Sequence, residues 1–136
     1  MSIGYGGKAR LALEDERMVV YEYAPYNLNE LKYRNKDNVL DGTITIYKEV
    51  LVEPQIRQKL KKTSTGKKKV HVKRIKRDVD YNLLLKENKV KVENSQYCWK
   101  FLAEEKVGMI AMKMIYRIFN SYQEEGELPQ RINISV

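Results

Sequence analysis

The amino-acid sequence predicts an α+β fold: a single domain with a mostly antiparallel sheet and one long amphipathic helix packed on one face. Apolar residues recur every three or four positions from about Glu104 to Glu125, which is typical of one helix face. Elsewhere, short segments alternate apolar and polar residues, as strands with one buried face do. A chain of 136 residues has room for one core, so we expect residues 1–136 to form one domain.

The first half of the chain contains three predicted strands. Segments 8–13 and 17–24 alternate with period two around a short acidic turn, so we expect them to pair as an antiparallel hairpin. Pro25 is expected to end the second strand, and the glycines before the first strand are interpreted as a flexible lead-in. A third strand, 43–48, follows the turn signal Asp41–Gly42.

Two short helices complete the predicted helical content. Pro54 favours the first position of a helix, and Ile56 and Leu60 would dock that helix on the core. Asp80 is a suitable N-cap for a second helix, predicted over residues 81–89. The remaining predicted strands cover residues 67–77, 90–93, 96–101 and 132–136.

Positive charge is concentrated in one segment. The chain has 26 Lys and Arg residues against 18 Asp and Glu, a net charge of +8. Eleven of the bases lie in the acid-free window 57–77, so the other 15 face all 18 acids, a balance of −3. Such an asymmetry indicates contact with an anionic partner, either a nucleic acid backbone or an acidic protein face. The predicted anion-binding residues are Arg57, Lys67, Lys68, Lys69, Lys73, Arg74, Lys76 and Arg77.

The basic window contains no aromatic residue other than His71. Proteins that bind single strands stack bases on aromatic rings, so this composition favours contact with the phosphate backbone. The alternative interpretation is that these lysines only keep a surface helix and an edge strand soluble. The sequence leaves both interpretations open.

No motif predicts a catalytic, metal or cofactor site, so the sequence favours a non-enzymatic binding module. One His and one Cys, His71 and Cys98, cannot form a zinc site by themselves. The order Asp78, Glu87, Lys89 loosely resembles that of restriction-type nucleases, although helix caps and helix-end charges explain the same residues. A small nuclease, metal-dependent or based on His71, therefore stays as an alternative function.

The ten tyrosines point to a different alternative. Tyrosine suits protein interfaces, so an immunity or antitoxin-type interaction module is a second candidate function. Tyrosines covering the exposed side of a small sheet would explain the same composition. The wide apolar stripe of the long helix also leaves a homodimer open. Because no apolar run could span a membrane and only one cysteine is present, we expect a cytoplasmic protein.

Three stretches resemble small uncharacterised cytoplasmic proteins of Gram-positive bacteria. They are residues 21–30, which contain Tyr21-Glu22-Tyr23 and Tyr26-Asn27-Leu28-Asn29-Glu30, the turn Asp41-Gly42 before Ile44 and Ile46, and the closing run Tyr122-Gln123-Glu124-Glu125-Gly126-Glu127-Leu128-Pro129. The resemblance extends over most of the chain. It implies a single cytoplasmic domain and carries no site residues.

Overall fold

A computed structural model of the chain describes residues 3–62, 66, 68–102 and 106–136, and for strand residues 57, 59–62 and 68–71 it describes the backbone only. The strands are β1 (Tyr5–Glu14), β2 (Met18–Asn27), β3 (Gly42–Tyr47), β4 (Gln55–Lys62), β5 (Lys68–Ile75), β6 (Val90–Glu93), β7 (Phe101–Leu102), β8 (Val107–Gly108) and β9 (Arg131–Ser135). The α-helices are α1 (Tyr81–Lys86) and α2 (Met109–Glu125), and two 3-10 turns cover Leu31–Tyr33 and Lys48–Val50. The predicted α+β fold is confirmed.

Five strands form the main sheet in the order β6–β3–β2–β1–β9, with every neighbouring pair antiparallel. The predicted hairpin is therefore confirmed as β1 and β2. The expected stop at Pro25 is wrong, because β2 continues to Asn27. Pro25 lies beyond the end of the β2–β3 ladder, which finishes where Gly42 pairs with Tyr23, so the proline interrupts no bond on that side.

Two of the glycines interpreted as a flexible lead-in belong instead to the sheet. Gly6 and Gly7 lie in β1 and pair with β2 on one side and β9 on the other. Gly7 is buried beneath α2, and a Cβ atom there would come within 2.6 Å of Ile110 Cγ2. Glycine at this position therefore lets the helix lie close against the sheet.

Helix α2 begins at Met109 rather than near Glu104. Lys106 has a left-handed backbone with φ of 52°, and Val107–Gly108 pair with β7, so the helix cannot extend back through these residues. The predicted start at 104 lies outside the described residues. The predicted stop is confirmed: Gly126 has φ of 74°, and its N–H donates to the Tyr122 carbonyl at 2.9 Å.

The core lies between α2 and one face of the main sheet. The helix buries an apolar stripe, and β2 and β3 bury alternate residues opposite it. This confirms the predicted apolar stripe of α2. The principal core residues are Val19, Tyr21, Tyr23, Ile44, Ile46, Ile110, Ala111, Met114, Ile115, Ile118 and Phe119.

One predicted helix is absent. Residues 54–62 were expected to be helical, but Gln55–Lys62 form the strand β4. The second short helix is confirmed as α1, and the Asp80 side chain accepts a hydrogen bond from the Leu83 N–H at 3.2 Å, as the N-cap prediction requires. The predicted strand 96–101 is wrong except at Phe101, the first residue of β7.

Candidate functional site

The basic window folds into a two-stranded ribbon made of β4 and β5. The strands pair antiparallel over eight residues, from Gln55 opposite Ile75 to Lys62 opposite Lys68. They form a sheet of their own, apart from the five strands of the main sheet. At about 3.3 Å per residue the paired region is roughly 26 Å long. The lysine-rich sequence thus belongs to a discrete extension of the domain.

The register sorts the ribbon residues into two faces, because directly opposed residues in an antiparallel pair share a face. One set of alternate positions carries most of the bases, and we call it the cationic face. It comprises Arg57, Lys59, Lys61, Lys69, His71 and Lys73, with Gln55 and Ile75 at the base of the ribbon. The other set, the apolar face, comprises Ile56, Leu60, Val70 and Val72, with Gln58, Lys62, Lys68 and Arg74.

Arg74 shows which face of the ribbon is turned toward the body. Its Nη1 donates to the carbonyl oxygens of Glu124 at 2.9 Å and of Gln123 at 3.4 Å, both in the last turn of α2. A guanidinium at this position offsets the negative end of the helix dipole. Ile56, opposite Arg74, lines a depression with Tyr122. At the base of the ribbon the apolar face is therefore directed toward α2.

The side chain of Gln123 fixes the end of the ribbon to α2. Its Oε1 accepts from the Arg77 N–H at 2.6 Å, and its Nε2 donates to the Arg77 carbonyl at 2.9 Å. Gln123 is only 2% exposed, although a polar residue of an amphipathic helix is expected to face solvent. The helical phase could have identified it, since Gln123 lies one turn beyond the buried Phe119.

Two of the predicted anion-binding residues are engaged with the body. Lys76 forms an ion pair with Glu124, and Arg74 caps α2 as described above. Both members of the ion pair are about half exposed, so the pair contributes less than about 1 kcal/mol. Lys73 and Arg77 have exposed side chains. Arg57, Lys68 and Lys69 lie in the ribbon with their backbones described, and Lys67 lies outside the described residues.

The ribbon places Lys and Arg residues that are distant in the sequence directly opposite one another. Its register sets Arg57 opposite Lys73, Lys61 opposite Lys69 and Lys62 opposite Lys68. Like charges directly opposed in a sheet are destabilising, by an amount on the order of 0.2–1 kcal/mol for each pair. A two-stranded ribbon is marginal even without such repulsion. Anions between the paired residues would therefore stabilise the ribbon.

The groups considered for catalysis do not converge in the described part of the chain. No three side chains of His, Cys, Asp or Glu among those described are close enough to share a metal ion. Asp80 caps α1, and this helix separates Asp78 from Glu87, whereas the nuclease pattern needs paired strands. Burial raises the pKa of the Cys98 thiol, which favours its unreactive protonated form.

The tyrosines were expected to cover the exposed side of the sheet, and for the two at its centre this is wrong. Tyr21 and Tyr23 are almost fully buried beneath α2, and the Tyr21 hydroxyl donates to the Pro129 carbonyl at 2.7 Å. Desolvation raises the pKa of both phenols. These two tyrosines therefore serve the core and are not available to a partner.

No helix in the described ranges is both long enough and apolar enough to cross a lipid bilayer. No protein-family model matches the sequence, and comparisons with curated proteins and with solved structures give no significant match.

Proposed function

We propose that this protein is a non-enzymatic nucleic-acid-binding module and that the cationic face of the β4–β5 ribbon contacts the phosphate backbone. The observation that carries the proposal is the register of the ribbon, which collects Arg57, Lys59, Lys61, Lys69 and Lys73 on one face. At the base of the ribbon this face is turned away from α2, because Arg74 on the opposite face binds the end of that helix.

The spacing of the Lys and Arg residues along the ribbon favours nucleic acid over an acidic protein face. Alternate residues of a strand recur about every 6.6 Å, whereas a duplex presents one phosphate charge per about 1.7 Å of its axis. Each Lys or Arg residue along the ribbon would meet a phosphate wherever the ribbon lay along the duplex. An acidic protein offers carboxylates only at particular positions, so it would require a matched spacing.

The energetics of the ribbon support the same conclusion. The like charges of the opposed pairs Arg57–Lys73 and Lys61–Lys69 repel one another in the free protein, and phosphates placed along the cationic face would relieve that repulsion. Binding by release of condensed counterions does not depend on base sequence. We therefore expect sequence-independent binding, with dissociation constants on the order of 10⁻⁴–10⁻⁶ M at physiological salt.

Two matched variants test the proposal. The ribbon variant combines Arg57→Gln, Lys59→Gln, Lys61→Gln, Lys69→Gln and Lys73→Gln. The body control combines five exposed residues of the same types: Lys32→Gln, Lys36→Gln, Lys86→Gln, Lys113→Gln and Arg117→Gln. Each variant loses five positive charges, so net charge alone cannot distinguish them.

Affinity for a fluorescent 24-base-pair DNA, followed by anisotropy at about 0.1 M salt, provides the measurement. Losing five phosphate contacts lowers the logarithm of the binding constant by as much as about 4.5 at this salt. We therefore expect the ribbon variant to bind at least about 100-fold more weakly than the wild type. The body control should remain within about 5-fold of the wild type. Equal losses in the two variants would contradict the proposal. If the wild type bound no nucleic acid even at low salt, an acidic protein would be the remaining anionic partner.

A further inference from the structure

The ribbon also carries information about the form of nucleic acid it fits. No Phe, Tyr or Trp occurs in residues 55–77, so His71 is the one ring that the strands of the ribbon could offer to an unpaired base. Proteins that bind single strands obtain about 1–3 kcal/mol per base from such stacking. A single strand would therefore gain little beyond backbone contacts here, and a stiff duplex would gain those contacts with less loss of conformational freedom.

The dimensions of the ribbon match a groove of a double helix. It consists of two strands, which lie about 4.8 Å apart, and its paired region is roughly 26 Å long. The major groove of B-form DNA is about 12 Å wide and admits a two-stranded ribbon, whereas the minor groove is about 6 Å wide. The major groove of A-form RNA is too narrow and deep for side chains to read.

Resting on the proposed function, we infer that the ligand is B-form duplex DNA and that the ribbon lies in its major groove with the cationic face toward the DNA. In this arrangement the walls of the groove place phosphates along both strands of the ribbon. The opposed pairs Arg57–Lys73 and Lys61–Lys69 then lie between two rows of negative charge.

The opposite face of the ribbon is unsuited to this contact. Ile56 and Val72 on the apolar face are 57% and 56% exposed, and placing them against phosphates would strip water from charged oxygens without replacing it. Glu53 lines the depression beside Ile56, and Glu124 pairs with Lys76 at the end of α2, so carboxylates lie on the body side at the base of the ribbon. These acids would repel a DNA backbone that approached from there.

The inference is tested with three ligands of one sequence: a 24-base-pair DNA duplex, the corresponding RNA duplex and one DNA strand alone. At a common salt concentration we expect the DNA duplex to bind at least about 10-fold more tightly than either of the others. If the RNA duplex or the single strand bound equally well, the groove inference would be overturned while the proposed function would stand. If none bound, both would be overturned.

A second measurement distinguishes the two grooves of DNA. Glucosylated 5-hydroxymethylcytosine fills the major groove, and netropsin occupies the minor groove of A·T-rich DNA. We expect glucosylation of the duplex to weaken binding at least about 10-fold and saturating netropsin to change it less than about 2-fold. Any other combination of results would overturn the placement of the ribbon in the major groove.

Discussion

Replacing Gln123 with leucine tests how the ribbon is fixed to the body. Leucine keeps much of the side-chain volume but removes both hydrogen bonds to Arg77, which measure 2.6 and 2.9 Å. A neutral hydrogen bond contributes about 0.5–1.5 kcal/mol net, so two give about 1–3 kcal/mol. Arg77 is exposed, so water can replace part of the loss, and we expect Gln123→Leu to lower the free energy of unfolding by about 1–2 kcal/mol.

Thermal unfolding followed by circular dichroism at 222 nm provides the assay. For a domain of this size, about 1 kcal/mol corresponds to roughly 4 °C in Tm, so the expected decrease is about 4–8 °C. Gln130→Leu is the matched control, because Gln130 is exposed and the chemical change is identical. If the two variants had the same Tm within about 1 °C, the Gln123 contacts would contribute nothing and the reasoning would be refuted.

Two further predictions concern the ribbon and the core. Backbone amides of β4 and β5 should exchange with solvent much faster than those of β2, because three like-charged pairs oppose the free ribbon. The same amides should become protected when duplex DNA is added. Protection equal to that of β2 without DNA would contradict this prediction. Burial raises the phenol pKa of Tyr21 and Tyr23, so their contribution to stability is complete below about pH 10 and is lost as the pH rises further. Absorbance at 295 nm should show these two phenols ionising only when the protein unfolds. A reversible titration of all ten tyrosines near pH 10 would contradict this prediction.

The main sheet and α2 could be predicted because each shows one clear period. In β2 the buried Val19, Tyr21 and Tyr23 alternate with less buried residues, and in α2 the stripe through Ile115 and Phe119 repeats with helical spacing. Both patterns reflect contact with the same core. Where a segment has one buried face, the period of its apolar residues is visible in the sequence itself.

The ribbon was harder to predict because its first strand fits two periods. Ile56 and Leu60 are four residues apart, a spacing that satisfies both a helix face and a strand face. The segment from Gln55 to Lys62 also consists almost entirely of residues with high helix propensity. Pairing with β5, where Val70 and Val72 favour a strand, overrides that local preference.

The residues that position the ribbon could be predicted only in part. The concentration of bases in residues 57–77 is visible in the sequence, but their division between two faces depends on the register of β4 with β5. Arg74 and Lys76 look equivalent to Lys73 in sequence, yet both contact the end of α2, which lies about fifty residues further along the chain. Contacts of such separation follow from the tertiary arrangement and leave no local pattern.

The salt dependence of DNA affinity tests the central claim most directly. For contacts by Arg57, Lys59, Lys61, Lys69 and Lys73, a plot of log K against log salt concentration should have a slope of about −4.5, at about −0.9 for each phosphate contact. The slope should approach zero when these five residues are changed to glutamine and stay near −4.5 in the body control. An unchanged slope in the ribbon variant would show that the DNA is bound elsewhere.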